Sequence, residues 1–272
     1  MAITTGAQYA AAAKQIIKWY KTSSVTTVAQ RSFVNFTTTG DPAAGTAAFA
    51  TTPGQVPTDA VTGFPPIDSF GAGNTGYLTR VHGGPGVAGF VKIYDLLYAV
   101  SVPLTALATT TITTPPSYAA RVPNTDYSNL ELFSWVTTAV SATATTATVT
   151  YTNQAGTTGK SATAELSSYS GLTLHRCQQY QLASGDSGIQ KLESVIVGGT
   201  VATTGVVNFC VGRRLWSGRA MVGEGTIPIL PNHGPGVTGM PIVYDTSALL
   251  FVYNADSTST GITDFSLEIA NG

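Results

Sequence analysis

The stretch "LASGDSGIQKLESV" (182–195) sets Ser187 between Asp186 and two glycines, Gly185 and Gly188. A serine raised on such a turn has the exposure that nucleophilic attack requires. Attack also requires a base within hydrogen-bond reach of the hydroxyl, and a third group that orients the base. The chain offers three histidines for that role, His82, His175 and His233. His82 and His175 precede Ser187, and Asp95 and Asp126 follow His82, so the order histidine, acid, serine is present.

The string resembles the nucleophile loop of chymotrypsin-like serine proteases, but the resemblance is short. That loop continues with a second glycine, where this chain has Ile189, and its histidine follows two alanines and precedes a cysteine, whereas His82 lies in "TRVHGGPG". Gly, Asp and Ser are also ordinary turn formers. The expectation is a turn with no catalytic residue in it, and a serine hydrolase is set aside.

Other chemistry is thinner. "GAGNTG" (Gly71–Gly76) has the spacing of a dinucleotide-binding loop, which needs a strand before it and a helix after it. "FPPIDSF" precedes and "YLTRVHGGPG" follows, leaving no room for that helix, so a loop is expected. No histidine has a partner at metal-ligand spacing, His175-x-Cys177 alone does not make a site, and no cofactor or metal is called for. The fourteen carboxylates are scattered, and no pair stands out for glycoside chemistry. "GRRLWSGR" gathers Arg213, Arg214 and Arg219 around Trp216. Two solvated flanks around one packed tryptophan is the simpler reading; contact with phosphate or a partner's acidic strip is the alternative.

The elements that would have to position these groups are set by composition. Of 272 residues only 10% are charged, against a usual ~25%, and the net charge is −1. With 43% hydrophobic residues the chain should fold. A neutral surface argues against nucleic acid and anionic membrane as partners. Residues 1–20 carry no secretory pattern, since Lys14 and Lys18 interrupt the apolar run, and no stretch reads as a membrane span. Cys177 and Cys210 do not make a disulfide framework.

Residues 1–21 are expected to form a helix: alanines favour it, Thr4 or Thr5 would cap it, and Tyr9, Ala13, Ile16, Ile17 and Tyr20 fall on one helical face. After Lys21 the texture turns to β-branched and aromatic runs punctuated by Gly, Pro, Asn and Ser. Strands are expected at 91–100, 130–140, 147–152, 193–197, 205–211 and 241–253. "ESVIVGGTVATTGVVNFCV" reads as two strands around a glycine-rich turn. The fold class is all-β, a β-sandwich of jelly-roll-like or related kind, with a short N-terminal helix and a long Pro/Gly-rich extended arm. The organisation expected is a helix over 1–21, arm and loops over 22–80, and a main β-domain over 81–272. "GPGVAGFVKIYD" (84–95) and "GPGVTGMPIVYD" (234–245) share seven of twelve positions, which raises the alternative of two related β-halves.

The loop-rich stretch 37–76 is long for a compact domain. Its Phe49, Val56, Phe64, Ile67 and Phe70 are too apolar to float in water, and an arm docked on a neighbouring subunit would account for them.

Across most of its length the chain resembles tailed-bacteriophage virion proteins of the capsid cement or decoration kind. "KTSSVTTVAQRSF", "VPTDAVTGFPPIDSFGAGNTGYLTRV", "DYSNLELF", "SGDSGIQKLESV" and "GMPIVYDTSALLFV" carry the resemblance. It implies a non-enzymatic protein on the capsid exterior, assembled in the host cytoplasm. It further implies a homo-oligomer, a trimer by preference, with the major capsid protein as partner, and it transfers no catalytic residue. Arg213, Arg214, Arg219 and the five apolar arm residues are the expected partner contacts. The alternatives are a tail-tube or adaptor subunit, or a host-binding or carbohydrate-active tail protein.

Overall fold

The computed structural model describes residues 3–46, 49–141, 145–165, 174–222 and 240–272. The chain is all-β, with a short N-terminal helix. Helix α1 (Gly6–Ala11) is followed by β1 (Lys14–Lys21), β2 (Ser32–Val34), β3 (Gly40–Asp41), β4 (Gly76–Pro85), β5 (Gly89–Pro103) and β6 (Thr109–Thr111). Two 3₁₀ turns, Ala119–Arg121 and Pro123–Thr125, lead to β7 (Leu130–Thr138), β8 (Thr145–Asn153), β9 (Lys160–Glu165) and β10 (Arg176–Gln179). The chain closes with β11 (Ile189–Gly199), β12 (Val206–Ala220), β13 (Ile242–Val243), β14 (Leu249–Ala255) and β15 (Thr263–Asn271).

These strands make three layers. A closed barrel, β10-β2-β14-β5-β12-β7, lies between a five-stranded sheet, β13-β4-β15-β1-β3, and a four-stranded sheet, β6-β11-β8-β9. One apolar core joins the five-stranded sheet to the barrel, where Trp19 of β1 stacks on Phe251 of β14 at 4.5 Å. A second joins the barrel to the four-stranded sheet through Val149, Tyr151, Leu192 and Val195. The fifteen-residue β5 serves both cores, so its middle runs buried without alternation, as a strand covered on both faces must.

The N-terminal helix is much shorter than the sequence suggests. Thr5 caps it in a reciprocal capping box with Gln8, but it stops at Ala11. From Lys14 onward the chain is a strand paired with β15, from Lys14 opposite Ala270 to Lys21 opposite Thr263. Ile17, Trp19 and Lys21 alternate inward while Ile16, 65% exposed, and Lys18 face out. The period of two prevails over the helical spacing because β-branched and aromatic residues fill a pleated surface with a partner strand at hand.

The segment 241–253 is likewise divided: β13 is a two-residue edge strand, and a turn separates it from β14. The glycine-rich turn after β11 does connect two strands. It is not a hairpin, because β11 pairs with β6 and β8 while β12 pairs with β5 and β7. Residues 234–239 of the second Gly-Pro-Gly segment lie outside the described residues. Its remainder runs through edge strand β13, whereas Gly89–Asp95 begin the central strand β5, so the two segments hold inequivalent places.

The arm turns inward. Phe49, Phe64, Ile67 and Phe70 are buried in the first core, and Val56 packs against the second. Phe49 and Phe64, together with Phe36, form an aromatic cluster against Trp135 of β7, with ring centroids of Phe49 and Trp135 5.5 Å apart. The chain's own two cores therefore take up the side chains expected to dock on a neighbour. Nearby, the backbone of Gln55 pairs with that of Ala99, and Tyr98 donates to the Pro53 carbonyl.

Candidate functional site

The Gly-Asp-Ser-Gly string is a turn, and each of its positions has a structural explanation. Gly185 has φ +86°, a backbone conformation that suits glycine. The Asp186 carboxylate accepts from Tyr151 Oη at 2.7 Å and from Asn153 Nδ2 at 2.7 Å. These hydrogen bonds, that of Asn153 foremost, hold the carboxyl below its ordinary pKa, while burial pushes the Tyr151 phenol up to about 12. The Ser187 N–H donates to Gln154 Oε1. Gly188 bridges Ser128, and a Cβ at Gly188 would stand 1.8 Å from the Tyr127 carbonyl oxygen, so only glycine fits.

Neither described histidine serves Ser187. His175 hydrogen-bonds Thr37, its N–H donates to the Val136 carbonyl, and burial lowers its pKa. Ser187 lies at Asn129, seven residues away along β7, which is roughly 20 Å in an extended chain. His82 is on the five-stranded sheet opposite Ser266. His233 lies outside the described residues. Asp126 accepts from the Ser128 N–H, and Asp95 is fully buried elsewhere.

The three arginines part company. Arg213 turns inward, donating to Asp95 Oδ2 at 3.1 Å and to the Ile242 carbonyl at 2.8 Å, so it is not the solvated flank expected. Arg214 and Arg219 stay at the surface, paired with Glu131 and Asp256. Trp216 packs against the first core between them.

Asp95 anchors a charge cluster that no motif announced. Its carboxylate, 0% exposed, accepts from Ser247 Oγ and the Ala248 N–H as well as from Arg213. Arg121 stands 3.6 Å away and donates to the carbonyls of Pro57, Leu96 and Thr246. One cluster thus ties β5, the arm, the first 3₁₀ turn and the turn before β14. The signal available in the sequence was a single aspartate in the apolar run "VKIYDLLYAV"; a charge there has to be paired.

Lys21 is the second buried charge. Its ammonium donates to the Pro42 carbonyl at 2.8 Å and approaches those of Thr38 and Ala43, with the Trp19 ring 4.8 Å away. It fastens the start of the arm to β1.

Among the described residues, a cleft of about 540 Å³ lined by the start of β7, residues 179–187 and Arg214 of β12 has the form of a binding site. Lys92 and Tyr94, two apart on β5, share one face, and β5 lies opposite β10 in the barrel. Lys92 therefore reaches Gln179 Oε1 (2.9 Å) across the barrel mouth, and Tyr94 Oη donates to Glu131 Oε2 (2.6 Å) on β7. Burial, then the Glu131 charge, raises the Tyr94 phenol above its usual range. Arg214 Nη1 meets Glu131 Oε1 at 3.1 Å, with 46% of the arginine side chain exposed and 12% of the glutamate. Across the cleft stands the turn 183–187, fixed by Tyr151, Asn153 and Gln154.

Among the described residues no group of three or more His, Cys, Asp or Glu side chains could hold a metal ion, and no helix is long and apolar enough to cross a membrane. Cys177 and Cys210 are free and buried. They sit on β10 and β12, on either side of β7, about 9.5 Å apart by strand spacing and beyond the ~7 Å reach of a disulfide.

No protein-family model matches the chain, and no curated protein matches it. Several solved structures align over nearly all of it. Two of them are the crystal structure of the infectious bursal disease virus VP2 subviral particle (11% identity, 99% of this chain and 82% of that one, TM-score 0.20) and the structure of the infectious bursal disease virus Gx strain (10%, 96% and 80%, TM-score 0.19). At these scores the likeness carries nothing about fold or role.

Proposed function

We propose that this chain is a structural protein of a virion, a cement or decoration protein that binds the major capsid protein on the exterior of a tailed-phage head and acts as a homo-oligomer, a trimer by preference. The sequence resemblance supplies the head location, the partner and the oligomer. The observation that carries a structural role is the outer face of the four-stranded sheet. Across its strands run two rows, Thr111–Ser194–Thr150–Ser161 and Thr109–Ile196–Thr148–Thr163. They form an uncharged wall of hydroxyls around one exposed isoleucine, opposite the buried Ala147, Val149 and Tyr151. The middle of such a face can be covered by a neighbour without desolvating a charge, Lys191 and Glu193 lying at its end beside Thr152, and its hydroxyls can donate or accept as the neighbour requires.

The chemistry-bearing groups fit the same reading. Asp95, Arg121, Arg213, Asp186 and Lys21 each serve internal hydrogen bonds that hold segments together. Electron cryomicroscopy of particles, with and without the protein, tests the assignment. Density on the head lattice and greater heat resistance of decorated capsids are expected. Density at the tail would replace the reading by a tail-tube, adaptor or host-binding subunit.

A further inference from the structure

We infer that the cleft between β7 and the turn 183–187 is a saccharide-binding site for the terminal residue of a neutral glycan. This goes beyond the virion assignment and does not rest on it.

The cleft exists because two segments part and rejoin. Tyr180 N–H donates to the Leu132 carbonyl at one end, and Asn129 N–H to the Ser187 carbonyl at the other. Between these closures residues 181–186 swing away from β7. In an extended strand alternate residues point their peptide groups to the same side. The backbone of Leu130, two before Leu132, therefore faces the opening. A bowl closed at both ends suits the end of a chain-like ligand better than a peptide running through.

The lining decides the chemical class. Glu131 is paired with the Arg214 guanidinium and bonded to Tyr94, so its charge is met. Asp186 accepts from the neutral Tyr151 and Asn153 and keeps its negative charge, which repels an anionic ligand. The half-exposed Arg214 guanidinium retains donors toward the cleft, held in place by its bond to Glu131. Gln181, Ser184 and Ser187 on the opposite wall offer amide and hydroxyl groups, and Leu182 gives an apolar patch. Fixed donors and acceptors beside an apolar patch match the hydroxyls and C–H faces of a neutral sugar, and the volume is in the range of small-ligand sites. The walls are rigid without the ligand: the turn is pinned to the four-stranded sheet, and Lys92 braces Gln179.

The test is saturation-transfer NMR and calorimetry of the whole protein with a panel of neutral hexose and N-acetylhexosamine oligosaccharides, matched acidic saccharides and an extended polar peptide. Saturable binding of a neutral saccharide is expected, weakened about tenfold or more by Arg214→Ala, which removes a charged hydrogen bond. Gln181→Ala, at an exposed position on the opposite wall, should also weaken it, and melting curves verify that both variants fold. Absence of saturable binding by every neutral saccharide would overturn the site. So would binding that Gln181→Ala leaves unchanged, or a preference for the acidic saccharides or the peptide.

Discussion

Asp95 on β5 and Arg121 on the first 3₁₀ turn lie 3.6 Å apart inside the protein, with 0% and 4% of their side chains exposed. Arg121 also donates to three carbonyls from the arm, β5 and the turn before β14. Burial pulls its pKa down and Asp95 pulls it back. Removing Arg121 leaves three carbonyls without their donor and Asp95 with Arg213 as its remaining counter-charge. Arg121→Ala is expected to cost about 3–5 kcal/mol in urea unfolding. Arg214→Ala, at the half-exposed Glu131 pair, should cost under about 1 kcal/mol. Equal costs would mean the buried cluster is not the anchor.

The arm is part of the core. Phe64 is 3% exposed, and its ring centroid is 4.6 Å from that of Phe36. Phe64→Ala should lower stability by about 3–5 kcal/mol. Deleting residues 45–70 should leave no cooperative unfolding transition. A deletion variant that still melts cooperatively would return the arm to the role of a detachable strap.

Lys21 gives stability an alkaline dependence. Burial brings its pKa from 10.5 to about 8, with Asp41 opposing the shift. Between pH 8 and 10.5 the unfolded chain holds a proton on this amine that the folded chain has released. The unfolded state binds more protons there, so this group makes stability rise with pH. Compared with Lys21→Met, the wild type should therefore gain melting temperature from pH 7.5 to 9.5. A relative loss over that window would contradict the buried geometry.

Cys177 and Cys210 should ignore thiol reagents in the native protein. Burial pushes the Cys177 thiol up to about 12, and Cys210 is raised in the same way. Little thiolate exists at pH 8, and the sulfurs are enclosed. Colorimetric titration is expected to count no fast-reacting thiol in buffer and two in strong denaturant. Fewer than two in denaturant would show that they are bridged.

Ser187→Ala should leave the melting curve unchanged, and a fluorophosphonate probe should label neither form. Asp186→Ala should lower the melting temperature by a few degrees, because it frees the Tyr151 hydroxyl and the Asn153 amide. Labelling of the wild type that Ser187→Ala abolishes would restore the hydrolase reading.

The sequence by itself determined the all-β class, the N-terminal cap, the turn character of Gly185–Gly188 and the packed Trp216. Each is written locally, in strand periodicity, in Thr5 three residues before Gln8, or in residues that tolerate a left-handed or crowded backbone. Tertiary structure decided everything that needs a distant partner. Residues 14–21 are a strand because β15 lies beside them, overriding an alanine-rich helical start. The arm fills its own barrel because Trp135 and Phe36 present a surface for Phe49 and Phe64. β11 and β12 adjoin in sequence and diverge in space, since a strand's alternation fixes which side is apolar but not which sheet will cover it. The cleft arises only where residues 181–186 leave β7 and return, and Glu131, Gln179 and Arg214 carry no spacing that announces it. Asp95 is the one aspartate of the apolar run "VKIYDLLYAV", but its partners, Arg121 and Arg213, are chosen by the folded chain.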